Sequence, residues 1–258
     1  MDPFGGVALG AMDAMNLGLV WVGCELEPKF HALAERNIAK WQRFHPEAKA
    51  RIIQGDSRRL CELVGPVLAD CVSCRHGGYG ESEGNLSGLP AGSVADCVVG
   101  SPPFEASLQD SSGSKASLGI KSDGSRRGGA LTERYGTTPG NIGEIQGQTF
   151  WAAARDIVSA CFAILRPGGH AVWVVKNFVR AGRIVDFVGD WRRLCEACGF
   201  EFVEEIHASL VKEKSHPGLF GEPVVKKKFR ASFFRRLHQK KYPHLAIDYE
   251  VVLVLRKP

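Results

Sequence analysis

Long apolar runs are absent from this sequence of 258 residues. No stretch approaches the roughly 20 consecutive apolar residues that a membrane-spanning helix needs, and the amino terminus has no basic region followed by an apolar core. Hydrophobic residues make up 44% of the chain and charged residues 24%, as in ordinary globular domains. We therefore expect a cytoplasmic protein that does not enter a membrane.

The cysteines lack the pattern of a metal centre or of a disulfide framework. Most of the eight fall inside predicted strands and helices, where a free thiol behaves as a small apolar group. Cys71 and Cys74, with His76 close behind, supply at most three zinc ligands, and no second pair follows at a usual spacing. Cys195 and Cys198 close a predicted helix. The sequence therefore predicts no metal site.

Strands and helices alternate along the chain, which predicts an α/β fold. The length is suited to one domain spanning residues 1–258. Expected strands cover residues 19–24, 51–54, 97–99, 170–175, 201–211 and 249–255. Expected helices run to about residue 17 and over residues 28–41, 150–165 and 184–198. Three segments with little periodicity, residues 71–93, 105–148 and 212–248, interrupt this pattern as insertions.

A buried strand ends abruptly at Gly100, before a polar residue, two prolines and an aromatic ring. Because Pro102 and Pro103 cannot donate to a strand ladder, the chain must leave the sheet there. Ligands of open α/β sheets bind outside the carboxyl ends of the strands. We therefore expect Ser101 and Phe104 to project into a binding site.

The first ten residues form a glycine-rich turn that leads into a helix. Glycines let the backbone approach a ligand closely, and a helix amino terminus presents free N–H donors. Glu25 follows at the end of the next strand, where an acidic residue can bind ribose hydroxyls. Glu27 is the alternative for this role.

Asp56 follows the strand at residues 51–54 and has two interpretations. At the carboxyl end of a strand, its carboxylate can accept a hydrogen bond from an adenine amine. It can equally cap the helical segment that starts near Arg58. The sequence does not favour either role.

Basic residues are concentrated near the carboxyl end, where residues 205–258 carry 12 basic and 5 acidic side chains. Residues 226–241 contain eight Lys and Arg, three Phe and no acid, which favours contact with a phosphate backbone and exposed bases. The alternative is an amphipathic helix with Phe229, Phe233 and Phe234 facing the core. The loop at 105–148 leaves directly from the expected site, so we interpret it as a lid or substrate-contact loop.

Together these motifs resemble the S-adenosylmethionine-dependent DNA amino-methyltransferases, and the resemblance covers most of the chain. It implies a Rossmann-like sheet with helices on both faces, S-adenosylmethionine as cofactor, and double-stranded DNA with a flipped target base as partner. The implied cofactor-binding residues are Asp2, Pro3, Phe4, Gly6, Glu25 and Asp56. The implied catalytic residues are Ser101, Pro102, Pro103 and Phe104. The expected nucleic-acid contacts are Arg126, Arg127, Lys226, Lys227, Lys228, Arg230, Arg235 and Arg236.

The catalytic motif begins with serine, which makes it similar to the motif of enzymes that methylate the cytosine amine. Enzymes that methylate the adenine amine more often have Asp or Asn at this position. Methylation of a cytosine carbon would need a thiolate that usually follows a proline, and no Pro-Cys pair occurs. The resemblance therefore implies a DNA methyltransferase, of a phage or restriction-modification type, with cytosine favoured. The alternatives are an RNA amino-methyltransferase and a nucleic-acid-binding module without catalytic activity.

Two features depart from the family pattern. Ala8 stands where the family often has another glycine. In addition, the sequence begins at Met1, so the first strand, which should precede the glycine-rich turn at the centre of the sheet, is missing. Its absence would leave backbone groups of two neighbouring strands unpaired. We expect that the chain starts inside a longer reading frame, or that another segment or chain occupies the position.

Overall fold

The computed structural model describes residues 1–64, 95–105, 138–209, 211–217, 223–229 and 241–258. The α-helices named here are α1 (Leu9–Asn16), α2 (Pro28–Gln42), α3 (Gln148–Ile164) and α4 (Phe187–Ala197). Residues 60–64 are also helical. The strands are β1 (Trp21–Glu25), β2 (Ala50–Gln54), β3 (Ala95–Gly100), β4 (Leu165–Val175), β5 (Phe178–Arg180), β6 (Arg183–Val185), β7 (Glu201–Ser209), β8 (Val211–Pro217), β9 (Pro223–Phe229) and β10 (Tyr249–Arg256).

Two groups of strands form the sheet that carries the fold. β1 and β2 pair in parallel. The second group has the order β3-β4-β10-β7, in which β3 and β4 are parallel and β10 is antiparallel to both of its neighbours. The predicted α/β class is therefore confirmed, with a mixed sheet.

Met1 and Asp2 lie between these two groups of strands. The amide of Asp2 donates to Val22 in β1 at 2.9 Å, and the amide of Cys24 donates back to the Asp2 carbonyl at 2.9 Å. On the other side, the amide of Val99 in β3 donates to the Met1 carbonyl at 2.8 Å. The position expected to be empty is thus filled at its carboxyl end, and the strand groups there are paired.

This arrangement gives the strand order of a doubly wound fold. When Met1 and Asp2 are counted as the first strand position, the parallel strands follow the order 3-2-1-4-5. The chain direction across the sheet reverses between the first and fourth positions. Ligands of such folds bind in the crevice at this switch point, outside the carboxyl ends of the strands.

Helices cover both faces of the sheet. On one face, α1 and α2 pack on β1 and β2 through a core that includes Ala11, Ala34 and Trp21. On the other face, α3 and α4 form the larger core with residues such as Trp173 and Trp191. Alternating side chains of β1 separate the two cores, because successive residues of a strand point to opposite faces. This confirms the expected coverage by helices.

The sequence-based boundaries hold to within a few residues for most elements. β4 begins at Leu165 rather than at residue 170, and the strand expected over residues 201–211 ends at Ser209, before β8 starts at Val211. The helix expected from Ile184 begins instead at Phe187, because Ile184 belongs to β6 in the β5–β6 hairpin. The alternative interpretation of residues 226–241 as an amphipathic helix fails at its start, because residues 223–229 form β9, which pairs antiparallel with β8. None of the helices within the described residues is long and apolar enough to cross a membrane.

Candidate active site at the strand switch point

A cavity of about 320 Å³ opens at the switch point. Its size is within the range of small-molecule pockets. Seven of the residues expected in the site line it: Pro3, Phe4, Glu25, Asp56, Ser101, Pro102 and Pro103. The other lining residues are Cys24, Leu26, Glu27, Ser57, Gly140, Asn141, Ile142 and Ile157. The structure thus brings the glycine-rich turn and the Ser-Pro-Pro motif together around one space.

The glycine-rich turn is held close to β1 by its backbone. The amide of Gly5 donates to the Cys24 carbonyl at 2.8 Å. A Cβ atom at position 5 would come within 2.6 Å of the Ile52 side chain, so the close approach requires glycine. Gly6 has a φ of +53° and donates its amide to Glu25 at 2.9 Å. The turn therefore exposes its backbone, without side chains at Gly5 and Gly6, so that a ligand can approach it closely.

Glu25 is buried at the end of β1 and directs its carboxylate into the turn. Its Oε2 accepts from the Gly6 amide, and its Oε1 accepts from the Glu27 amide at 2.8 Å. Burial raises the pKa of Glu25, while these two amide hydrogen bonds oppose the rise. A carboxylate offers about four lone-pair sites, so each oxygen can accept a further hydrogen bond from a ligand hydroxyl.

Glu27 has a structural contact that the sequence analysis missed. Its carboxylate accepts from the Thr138 hydroxyl at 2.7 Å and from the Asn141 side-chain amide at 2.9 Å. Gly140, Asn141 and Ile142 line the cavity on this side. Glu27 therefore holds the last part of the 105–148 loop against the site. An acidic residue two positions after Glu25 was the only sequence signal for it.

Asp56 caps the 3₁₀ turn at Ser57–Arg59, since its Oδ1 accepts from the Arg58 amide at 3.0 Å. This confirms one of its two interpretations. The Arg58 guanidinium also binds both carboxylate oxygens, with Nε at 3.0 Å from Oδ1 and 2.9 Å from Oδ2. Burial alone would raise the pKa of Asp56, but the hydrogen bonds from Arg58 lower it below its ordinary value. The carboxylate still faces the cavity, so its role toward adenine stays a prediction.

The Ser-Pro-Pro motif continues directly from β3. The hydroxyl of Ser101 donates to the carbonyl of Val174 in the neighbouring strand β4 at 3.0 Å. Because the hydroxyl proton is used in this bond, the oxygen is left as an acceptor toward the site. Pro102 is buried, and Gly100 lies so close to Pro3 and Trp173 that a Cβ atom there would come within 3.2 Å of both. The motif is therefore held tightly against the glycine-rich turn.

Phe104 does not line this cavity. Its ring packs against Phe178 at 5.5 Å and Phe187 at 5.6 Å between centroids. The next residue, Glu105, accepts from Arg180 and from the Gly147 amide. The end of the catalytic motif is thus fastened to the β5–β6 hairpin and to the start of α3. Stacking of Phe104 on a target base stays a prediction.

Asp2 and Gly6, two further residues that the resemblance implies for the cofactor, support the turn without lining the cavity. Asp2 accepts the Phe4 amide at 3.0 Å, and burial raises the pKa of Asp2 to about 6. Gly6 contributes the amide described above. Among the described residues, no group of three or more His, Cys, Asp or Glu side chains could hold a metal ion.

The expected nucleic-acid contacts are only partly within the described residues. Lys226, Lys227 and Lys228 belong to β9, where the backbone register pairs Lys226 with Lys214 and Lys228 with Lys212. The expected contacts outside the described residues are Arg126, Arg127, Arg230, Arg235 and Arg236. The same holds for Cys71, Cys74 and His76.

No protein-family model matches the chain, and no curated protein matches it significantly. Solved structures do resemble it. One is a TehB-like S-adenosylmethionine-dependent methyltransferase from Corynebacterium glutamicum, with 13% identity and a TM-score of 0.39 over 100% of this chain and 78% of that one. Another is an S-adenosylmethionine-dependent methyltransferase from Methanosarcina mazei, with 10% identity and a TM-score of 0.44 over 99% and 90%.

A third similar structure is a candidate DNA modification methylase from Thermus thermophilus, with 19% identity and a TM-score of 0.35. The match covers 79% of this chain and 52% of that one. At these scores, the likenesses identify neither a family nor a substrate for this chain.

Proposed function

We propose that this chain is an S-adenosylmethionine-dependent methyltransferase that acts on the exocyclic amine of a DNA base, with cytosine favoured. One observation carries the proposal: Ser101, Pro102 and Pro103 face the same cavity as the glycine-rich turn and Glu25. This juxtaposition lies at the switch point of a doubly wound sheet, where such folds bind ligands.

The residues present are suited to the cofactor. The turn at Gly5 and Gly6 is narrow, because a larger side chain at either position would clash or be strained. Glu25 has lone pairs left for ribose hydroxyls, and Asp56 lies where it could accept from the adenine amine. S-adenosylmethionine, when bound, supplies an electrophilic methyl group.

The chain's own residues prepare the acceptor amine. An exocyclic amine is a poor nucleophile because its lone pair is delocalised into the ring. The Ser101 oxygen, whose proton is used by Val174, can accept one amine hydrogen. The Pro102 carbonyl is the proposed second acceptor. Two such hydrogen bonds favour a pyramidal nitrogen aimed at the methyl group, which is catalysis by orientation.

DNA as the substrate rests on charge. The lysines of β8 and β9 belong to the segment that holds most of the excess positive charge. A basic segment on one part of a protein is typical of nucleic-acid contact. A target base must leave the duplex before its amine can reach a cavity of this kind.

The test is transfer of a labelled methyl group to DNA by the wild type and by Ser101→Ala. We expect incorporation by the wild type and a loss of about 10²-fold in the variant, as for removal of one transition-state hydrogen bond. Cofactor affinity, measured by calorimetry, should be the same in both. Ser159→Ala, at an exposed hydroxyl on α3, is the matched control.

Mass spectrometry of the product nucleosides then identifies the methylated base. Incorporation into RNA alone would replace DNA as the substrate. No incorporation into either nucleic acid at saturating cofactor would favour a binding module without catalytic activity.

A further inference from the structure

The β5–β6 hairpin (Phe178–Val185) is a short projection that the function above does not use. Its two central residues, Ala181 and Gly182, have φ values of 49° and 72°, and Arg180 pairs with Arg183 across the turn. Two successive residues with positive φ define the tight turn that matches strand twist. Alanine is strained in this region. Strained turns of this kind occur disproportionately at functional sites.

The hairpin is bound directly to the end of the catalytic motif. Arg180 donates to the Glu105 carboxylate at 2.7 Å and to the Glu105 carbonyl at 2.9 Å. Phe178 packs on Phe104. At its base, the Asn177 side chain accepts the Val188 amide at 2.9 Å, which joins the hairpin to α4. These contacts hold the hairpin beside Phe104 and Glu105, which directly follow the Ser-Pro-Pro motif.

The two hairpin arginines differ in their electrostatic environment. Glu105 balances the charge of Arg180. Arg183 is exposed, and it has no acidic partner among the residues that the structure describes. The hairpin itself contains no acidic residue. An unbalanced guanidinium on a hairpin that contacts the end of the catalytic motif is suited to a phosphate group, which it can bind through two parallel hydrogen bonds.

The other face of the hairpin is apolar and exposed. Val179 and Ile184 form a cross-strand pair, and their exposed fractions are 38% and 43%. Residues alternate between the faces of a strand, so this pair lies opposite the face of Arg180 and Arg183. Proteins that open a duplex often insert apolar side chains at the unstacked step. The hairpin carries both a charged residue that could bind a phosphate and an apolar pair that could pack at an unstacked step.

We propose that the β5–β6 hairpin contacts duplex DNA beside the target base, with Arg183 binding a backbone phosphate and Val179 and Ile184 packing at the opened step. This proposal rests on the proposed function, because it takes DNA as the substrate. It adds a contact surface that is separate from the basic segment at residues 226–241.

The test is binding of a fluorescent DNA duplex to the whole chain, measured by anisotropy over a series of salt concentrations. Removal of one phosphate contact lowers the slope of log affinity against log salt by about 0.9. We expect this change for Arg183→Gln, with a loss of affinity of about five- to tenfold at physiological salt. The matched control is Arg43→Gln, which removes an exposed arginine at the far end of α2.

A charge-neutral variant tests the apolar face. Val179→Ser with Ile184→Ser should weaken duplex binding without changing the salt slope, because no ionic contact is lost. Unchanged cofactor affinity and an unchanged unfolding midpoint show that each variant is folded. A wild-type slope and affinity in Arg183→Gln would overturn the proposal, as would stronger binding of RNA than of duplex DNA.

The methyl-transfer assay separates this proposal from the proposed function. If the wild type methylates DNA and Arg183→Gln has the same KM for DNA, the hairpin proposal alone fails. If the salt slope of duplex binding depends on Arg183 but the DNA receives no methyl group, the proposed reaction is wrong and the proposed contact surface is supported. If the wild type does not bind duplex DNA, the hairpin proposal is wrong.

Discussion

The hydroxyl of Thr138 donates a hydrogen bond of 2.7 Å to the carboxylate of Glu27, a residue 111 positions earlier in the chain. This bond joins the start of α2 to the segment that closes one side of the cavity. Because Glu27 is buried, the bond forms where water competes little for either partner. The position of this cavity wall therefore depends on a contact between two distant parts of the sequence.

Thr138→Val should weaken cofactor binding about tenfold, since a hydrogen bond to a charged group contributes about 1.5–3 kcal/mol and part of this is lost with the cavity wall. Calorimetric titration with S-adenosylmethionine measures the change. Thr149→Val, which removes an exposed hydroxyl at the start of α3, should bind as the wild type does. Equal affinity in all three proteins would show that this wall does not contribute to binding.

Asp56→Ser separates the two roles of Asp56. Serine can still cap the turn at Ser57–Arg59, so the free energy of unfolding should change by less than about 1 kcal/mol. Its shorter side chain cannot reach an adenine amine, so the dissociation constant of the cofactor should rise about tenfold. The control is Asp186→Ser, which alters the cap of α4 outside the cavity. An unchanged dissociation constant in Asp56→Ser would show that Asp56 caps the turn but does not bind the adenine.

Ala8→Gly should stabilise the protein. Ala8 has a φ of 63° at the amino end of α1, a conformation that is strained for any residue with a Cβ atom. Glycine removes the strain, although it also gives the unfolded chain more conformational entropy, which opposes folding. We expect the free energy of unfolding to increase by about 1 kcal/mol after both effects. Ala11→Gly, inside the same helix, should destabilise by about the same amount. Thermal unfolding of the two variants should therefore shift in opposite directions.

Asp2 should make stability depend on pH. Burial raises the pKa of Asp2 to about 6, above the value near 3.9 of an unfolded chain. The folded state thus holds this proton more tightly. The resulting stability is complete below about pH 4 and is lost as the pH rises through 6.

Asp2→Asn cannot ionise but can still accept the Phe4 amide. Its free energy of unfolding, relative to the wild type, should increase between pH 4 and pH 7 by about 1–3 kcal/mol. Urea unfolding at several pH values measures this difference, and Asp13→Asn on α1 is the matched control. Parallel pH profiles of Asp2→Asn and the wild type would contradict the assignment.

Elements with strong periodicity were predicted well from the sequence. The helix that begins at Pro28 and the strand that ends at Glu25 follow from local pattern alone, because the helix buries one face and every residue of the strand is buried. The cavity residues at Ser101 and Glu25 followed from a general property of α/β sheets, whose strands end at a common edge. Their positions could be inferred without knowledge of any contact.

Other features depend on contacts that a sequence does not display. The Glu27–Thr138 bond joins residues that no pattern relates. The β5–β6 hairpin was missed because its Ala181-Gly182 turn lacks the usual Asn-Gly or Asp-Gly signal. The ring of Phe104 packs on Phe178 and Phe187 in an aromatic cluster, and no local pattern indicates these partners. Local propensity cannot anticipate such long-range packing.

The position of Met1 and Asp2 has a consequence for how the molecule unfolds. Within the described residues, these two carry the backbone ladder between β1 and β3. The cavity spans the same boundary, with Glu25 on one side and Ser101 on the other. A ligand that touches both sides stabilises the folded form by about 2.7 kcal/mol at a concentration of 100 times its Kd. Occupancy of the cavity would therefore make the parts of the sheet that carry β1 and β3 unfold as one cooperative unit. Amide hydrogen exchange in β1 and β3 would slow together.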